Sequence, residues 1–167
     1  MRRVVCGVLV AGVALCLGPP AAGAQGAADR VAASVQRVWG RGAVADTVPV
    51  DSTAVLRVSR DGHPAGWGVV RNVRGREQPI TFLVAVDTGM RILDVDVLVY
   101  REPYGGEVAY ESWRRQFRGR GPGDSLRVGR EVRGISGATI SVNAVTLGVR
   151  RALADLAAWR RAGRLNQ

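Results

Sequence analysis

The sequence predicts an α+β domain: an antiparallel β-meander with helices packed on one face of its sheet. Three observations carry that prediction. Four strand-like stretches between Ala54 and Tyr100 are separated only by short turn clusters. Apolar residues recur at helical spacing before and after them. The chain has 167 residues, 47% apolar and 23% charged, the size and balance of one globular domain.

The chain opens with a targeting segment. Met1-Arg2-Arg3 is a short basic start, Val4 to Leu17 is a run of 14 apolar and small residues, and Gly18-Pro19-Pro20 breaks it. Ala22-Gly23-Ala24 supplies the small-x-small pattern of a signal-peptidase site. Residues 1–24 are therefore expected to be a cleaved signal peptide, with Gln25 as the first mature residue and an exported product, periplasmic or on the outer face of the inner membrane. The run is shorter than the roughly 18 residues of a spanning helix, so an uncleaved anchor is the rival reading. Both cysteines, Cys6 and Cys16, leave with the signal. The mature chain then has no thiol for disulfides, metal binding or catalysis.

Residues 25–51 read as a helix and a connection. Val31, Val35 and Val38 make an apolar stripe on Ala27 to Trp39, Gly40 and Gly42 end it, and Thr47 to Ser52 connects onward. The folded domain is expected over residues 52–161. Ala54 to Ser59 and Gly66 to Val73 are strands around the Asp61-Gly62-His63-Pro64 turn. Ile80 to Val86 is apolar throughout and reads as a central strand. Asp87-Thr88-Gly89 turns into an alternating strand, with Leu93, Val95, Val97 and Val99 on one side and Asp94, Asp96, Leu98 and Tyr100 on the other. Glu102 to Glu107 is a loop, Glu111 to Phe117 a short helix, and Ser125 to Val132 a short strand or extended segment. A long helix over Val142 to Arg161 closes the chain, with Val142, Val145, Val149, Leu153 and Leu156 as its stripe.

Composition excludes several chemistries. All 24 basic residues are arginine, so a lysine Schiff base or P-loop lysine is impossible. Removing Arg2 and Arg3 leaves 22 arginines against 14 acids, formally +8. That charge permits binding to anionic lipid or polymer, but the arginines are dispersed and export removes nucleic acid from the expected partners. One histidine, His63, and no mature cysteine leave no stable transition-metal site. Asp94 and Asp96 share a strand face, where solvated carboxylates are commoner than catalytic ones. Glu102 and Glu107 flank the Gly105-Gly106 pair, a weak sign of a pocket.

The sharp feature is Ser136-Gly137-Ala138-Thr139-Ile140-Ser141, directly before the long helix. Small residues there let a backbone loop approach a ligand, and the helix start favours an anion such as phosphate. Arg127, Arg130 and Arg133 stand just upstream and can add charge-assisted contacts. The plainer reading makes Thr139 or Ser141 the helix N-cap, a contribution of about 1 kcal/mol.

Ser136-Gly137-Ala138-Thr139 matches the SGAT motif of the FMN-binding domain family. That family includes the flavin-carrying subunits of the Rnf and sodium-translocating NADH:quinone reductase complexes and many small exported proteins. The chain resembles the small exported members over roughly Ser52 to Ala157. Gly66 to Val73, Pro79 to Val86, Tyr100-Arg101-Glu102 with Gly105-Gly106-Glu107, Gln116-Phe117-Arg118 and the last helix all take part.

The resemblance implies a single FMN-binding domain in which a flavin transferase splits FAD and esterifies FMN phosphate to Thr139. Ser136, Gly137 and Ala138 would then form the recognition loop, with Ile140 and Ser141 beside it and Glu102, Gly105, Gly106 and Glu107 near the flavin. One position departs from the pattern: three residues before the motif serine, Arg133 stands where family members commonly carry Asp, and the nearest acid is Glu131. The expected function is an exported flavoprotein passing electrons in the cell envelope, with a membrane-bound donor or acceptor as partner. No acid–base pair suggests self-contained catalysis. An envelope flavin-dependent reductase and a flavin-free basic binding module are the alternatives.

Overall fold

A computed structural model of the chain describes residues 22–166. The basic start, the apolar run and both cysteines lie outside them. The architecture is α+β, in one unit. Helix α1 (Ala22–Trp39) leads into strands β1 (Ala43–Val50), β2 (Thr53–Arg60), β3 (His63–Arg74), β4 (Pro79–Val86) and β5 (Ile92–Val99). They form one antiparallel sheet in the order β1-β2-β3-β4-β5. Helix α2 (Glu111–Arg114) runs into a 3₁₀ turn at Arg115–Phe117, and α3 (Thr139–Arg161) closes the fold.

The meander has five strands where the sequence suggests four. The stretch expected as a connection, Thr47 to Ser52, supplies the end of β1, which pairs with β2 over its whole length. Asp46, Pro49 and the scatter of exposed residues hide it, because an edge strand needs neither face fully apolar. Ser125 to Val132 forms no strand: it is an irregular segment that turns at residues 129–131 and is bridged between Val128 and Val132.

The helices do not share one face. α3 lies on one side, where Val142, Val145, Val149, Leu153 and Leu156 meet Val69, Phe82, Val84 and Val86 in the main core. Close approach is possible because Gly148 leaves no room for a Cβ, which would stand 2.7 Å from Phe82 Cζ and Val73 Cγ1. α1 covers the opposite side, where Val35 and Trp39 pack on Leu56, Val58, Leu83 and Ala85. Alternating strand residues such as Phe82 and Leu83 are both fully buried. Such two-sided burial is what a continuously apolar strand requires.

Strand β5 also departs from strict alternation. Its register slips by one residue at Leu93 and again at Leu98. Ile92, Val95, Val97 and Tyr100 therefore reach the α3 side, and Leu93 and Leu98 the α1 side. Asp94 and Asp96, opposite Ala85 and Leu83, are buried there. Arg114 from α2 neutralises them, at 2.6 Å from Asp94 Oδ2 and 3.6 Å from Asp96 Oδ1, and Arg37 from α1 also pairs with Asp96. The carboxylate pair is a structural ion network. Its arginine also donates to the carbonyls of Val95 and Ala109, which closes part of the β5 edge.

Candidate functional site

The motif forms a turn and a helix start. Ala138 donates its N–H to Ile135 O at 3.0 Å, and Gly137 between them has φ +79°, the left-handed value that the third position of a type II turn requires. α3 then begins at Thr139, one turn earlier than its apolar stripe indicates. Its N-cap is Ala138, which has no side chain to cap it, and its first turn carries no acid. Neither Thr139 nor Ser141 is the N-cap. The first N–H groups of a 23-residue helix are thus left open to an anion. Thr139 is exposed. Among the described residues, no hydrogen bond engages its hydroxyl.

Ser141 is buried, and its Oγ stands 3.1 Å from Tyr100 Oη, which donates to Tyr104 O. Burial pushes the Tyr100 hydroxyl above its ordinary 10.0, against the lowering effect of the Ser141 hydrogen bond. This contact ties the loop after β5 to the first turn of α3. Gly105 completes the tie. It has φ +82°, and a Cβ there would lie 2.9 Å from Ala138 Cβ and from Tyr100 Oη, and 3.3 Å from Ser141 Oγ. The glycine pair thus divides: Gly105 seats the loop against the motif, whereas a Cβ on Gly106 would meet only Tyr100 at ordinary contact distance.

Glu102 belongs to a second joint. Its carboxylate accepts N–H groups from Glu77 at 2.9 and 3.2 Å and from Gln78 at 3.1 Å, in the β3–β4 turn. Desolvation pushes its pKa up, but the backbone donors of residues 77, 78 and 76 and the Arg76 charge outweigh it, so the group sits below its ordinary 4.5.

These joints enclose a recess of about 360 Å³ lined by Arg76, Glu102, Pro103, Tyr104, Gly137, Ala138, Thr139, Ile140 and Ser141. Of the sequence candidates, Gly137 to Ser141 and Glu102 line it, and Gly105 supports it from behind. Ser136, Gly106 and Glu107 are not among its walls; Ser136 and Glu107 are exposed. The cation at the recess is Arg76, which the sequence did not single out; nothing local to Arg74-Gly75-Arg76 reports that its turn meets a helix 63 residues later. Arg130 and Arg133 instead line a neighbouring recess with Trp113 and Gln116, and Arg127 lies at another. The backbone at Arg133 is pinned by Gln116 Oε1 and Trp113 Nε1. Glu131 is engaged by the Ser125 hydroxyl and the Arg127 N–H, which hold it below its ordinary 4.5.

Elsewhere the chemistry thins out. His63 is exposed at the β2–β3 hairpin. A larger cavity of about 940 Å³ lies under α1, walled mostly by alanines, valines and threonines, and among the described residues its one charged wall residue is Arg71. No set of convergent polar groups accompanies it.

Residues 75–154 match the family model described as the FMN-binding domain. The chain carries an FMN-binding domain. The match runs from the β3–β4 turn through β4, β5, α2 and most of α3, and so contains every wall of the recess. No curated protein matches the chain. The donor set of the FMN-binding domain suits the phosphate end of its cofactor: an uncapped helix start without acids, a free hydroxyl on its first residue and one guanidinium at the rim.

Proposed function

We propose that this protein is an exported flavoprotein that carries FMN esterified through its phosphate to Thr139 and passes electrons in the cell envelope. The observation that carries the reading is the exposed, unengaged Thr139 hydroxyl at the uncapped start of α3, inside the recess of the FMN-binding domain. When bound, FMN supplies the redox chemistry; the protein supplies attachment, orientation and electrostatics. The Thr139 oxygen displaces AMP from FAD at the FMN phosphorus and gives up its proton, both released at the flavin transferase, and the open N–H groups of the α3 start stabilise the one negative charge the new phosphodiester keeps. Gly137 and Ala138 present that oxygen on a turn with little side-chain bulk. Electron carriage fits better than self-contained catalysis, because the buried carboxylates Asp94 and Asp96 are neutralised by arginine and the recess carboxylate Glu102 is engaged by backbone N–H groups. A flavin transferase is the partner the attachment requires, and a membrane-bound donor or acceptor the partner that electron carriage requires.

The test is co-expression with an FMN-transferring enzyme. The exported chain should fluoresce in a denaturing gel, and its intact mass should rise by FMN less one water. Thr139→Ala should lose both signals, since alanine has no oxygen to esterify, while Thr139→Ser keeps part. Ser136→Ala should stay labelled, and Arg133→Asp should raise the labelled fraction. An unlabelled wild-type chain, in cells where the same enzyme labels another SGAT protein, would refute the reading. A labelled Thr139→Ala chain would move the site.

A further inference from the structure

We infer that Arg76 is the side-chain cation that receives the phosphate group at Thr139, and that Glu102 is the positioning residue that holds Arg76 there. This rests on the attachment reading above and names the residues that would decide its rate. Three segments distant in sequence meet at this point: the β3–β4 turn, the loop after β5 and the start of α3. The β3–β4 turn is held from outside by the loop after β5. It is fixed by one carboxylate, which takes N–H groups from both Glu77 and Gln78, immediately after Arg76.

The fit is close on the other side as well. A Cβ on Gly75 would fall 2.1 Å from Glu102 Oε1 and 2.6 Å from Gln78 O, so Glu102 reaches the turn only because residue 75 is glycine. Gly75 also donates its N–H to Gln78 O at 3.1 Å, closing the turn around the residue that carries the guanidinium. Arg76 has no carboxylate within ion-pair distance among the described residues; Glu102 is near enough only for the two charges to influence each other, so the fork can still take a phosphate oxygen. Glu102 spends most of its charge on the backbone and feels the Arg76 charge without closing an ion pair with it. It therefore steadies the turn while the guanidinium stays open to an anion entering the recess.

The neighbouring arginines do not duplicate this role, because Arg127, Arg130 and Arg133 line other recesses. Two roles thus separate at one site: the α3 start supplies backbone donors, and Arg76 supplies the side-chain charge.

The experiment follows covalent labelling of the purified full chain by a flavin transferase with FAD, read by intact mass over time, with thermal unfolding as the check on folding. Arg76→Gln should slow labelling about tenfold, the usual effect of losing one charge-assisted contact, and Arg76→Lys should recover most of the rate. Glu102→Ala should slow it comparably and speed amide exchange at Glu77 and Gln78. In the Arg76→Gln background, Glu102→Ala should add little, since it acts through Arg76. Wild-type labelling speed in Arg76→Gln, or effects that simply multiply in the double variant, would overturn the inference while leaving Thr139 as the attachment residue. A wild-type chain that takes no label overturns both.

Discussion

The two faces of the sheet use the same strands to different ends. The α1 face buries charge and cancels it: Asp94 and Asp96 meet Arg114 and Arg37, and little charge remains to act on a ligand. The α3 face buries almost nothing but apolar side chains, yet at its rim, among the described residues, it leaves a helix start uncapped, a threonine unengaged and an arginine outside any ion pair. The difference teaches where to look for chemistry. Buried ion pairs catch the eye in a sequence, but a binding site needs charge and donors that the fold has not already satisfied.

The comparison breaks first at the cores. Phe82 is fully buried under α3, and Phe82→Ala should cost about 3–5 kcal/mol in urea unfolding, whereas Val35→Ala under α1 should cost about 2 kcal/mol. Equal losses would mean that the α1 face stabilises as much as the main core. Next comes the ion network. Arg114→Met leaves buried Asp94 with only Arg118 at 3.9 Å and Asp96 with only Arg37, so a loss of about 3 kcal/mol is expected by the same assay. A neutral result would show that those carboxylates reach water.

A smaller effect sharpens the rim. Gly105→Ala forces a left-handed residue with a crowded Cβ and should cost about 1–2 kcal/mol, while Gly106→Ala should stay within about 0.5 kcal/mol. Matching melting temperatures for the two variants would deny Gly105 its seat against the motif. Smallest is a pH effect at Glu102. Its folded pKa is depressed, so its hold on the β3–β4 turn is complete above the ordinary 4.5 and is lost as pH falls through the lower folded value. Amide exchange at Glu77 and Gln78, corrected for intrinsic pH dependence, should accelerate across that window in wild type and show no such step in Glu102→Gln.

Much of the fold was legible because turns and periodicity are local. The Asp61-Gly62 and Asp87-Thr88-Gly89 turns, the apolar run of β4 and the stripes of α1 and α3 all announce themselves within a few residues. Three things were not. β1 is an edge strand whose exposed Asp46 and Pro49 erase its pattern. The placement of α1 on the far face follows from burial of both sides of β4, which a single apolar run leaves ambiguous. The slips at Leu93 and Leu98 reverse the side that neighbouring residues take, and no residue type marks them. The site was half legible for the same reason. Gly137 to Ser141 form a local motif, but Arg76 joins them only through the meander and the Glu102 contact.

Helix α3 comes last among the long elements, and it provides both the cover of the main core and the hydroxyl of Thr139. A ribosome therefore delivers the whole sheet before the piece that shields it. In that interval Val69, Phe82, Val84 and Val86 stand as an open apolar surface, the kind of nascent intermediate on which aggregation begins and chaperones act. Thr139 takes its place at the recess only when this helix has docked. Whatever binds that recess therefore meets finished molecules and passes over unfinished ones, so that its occupancy doubles as a certificate of completed folding.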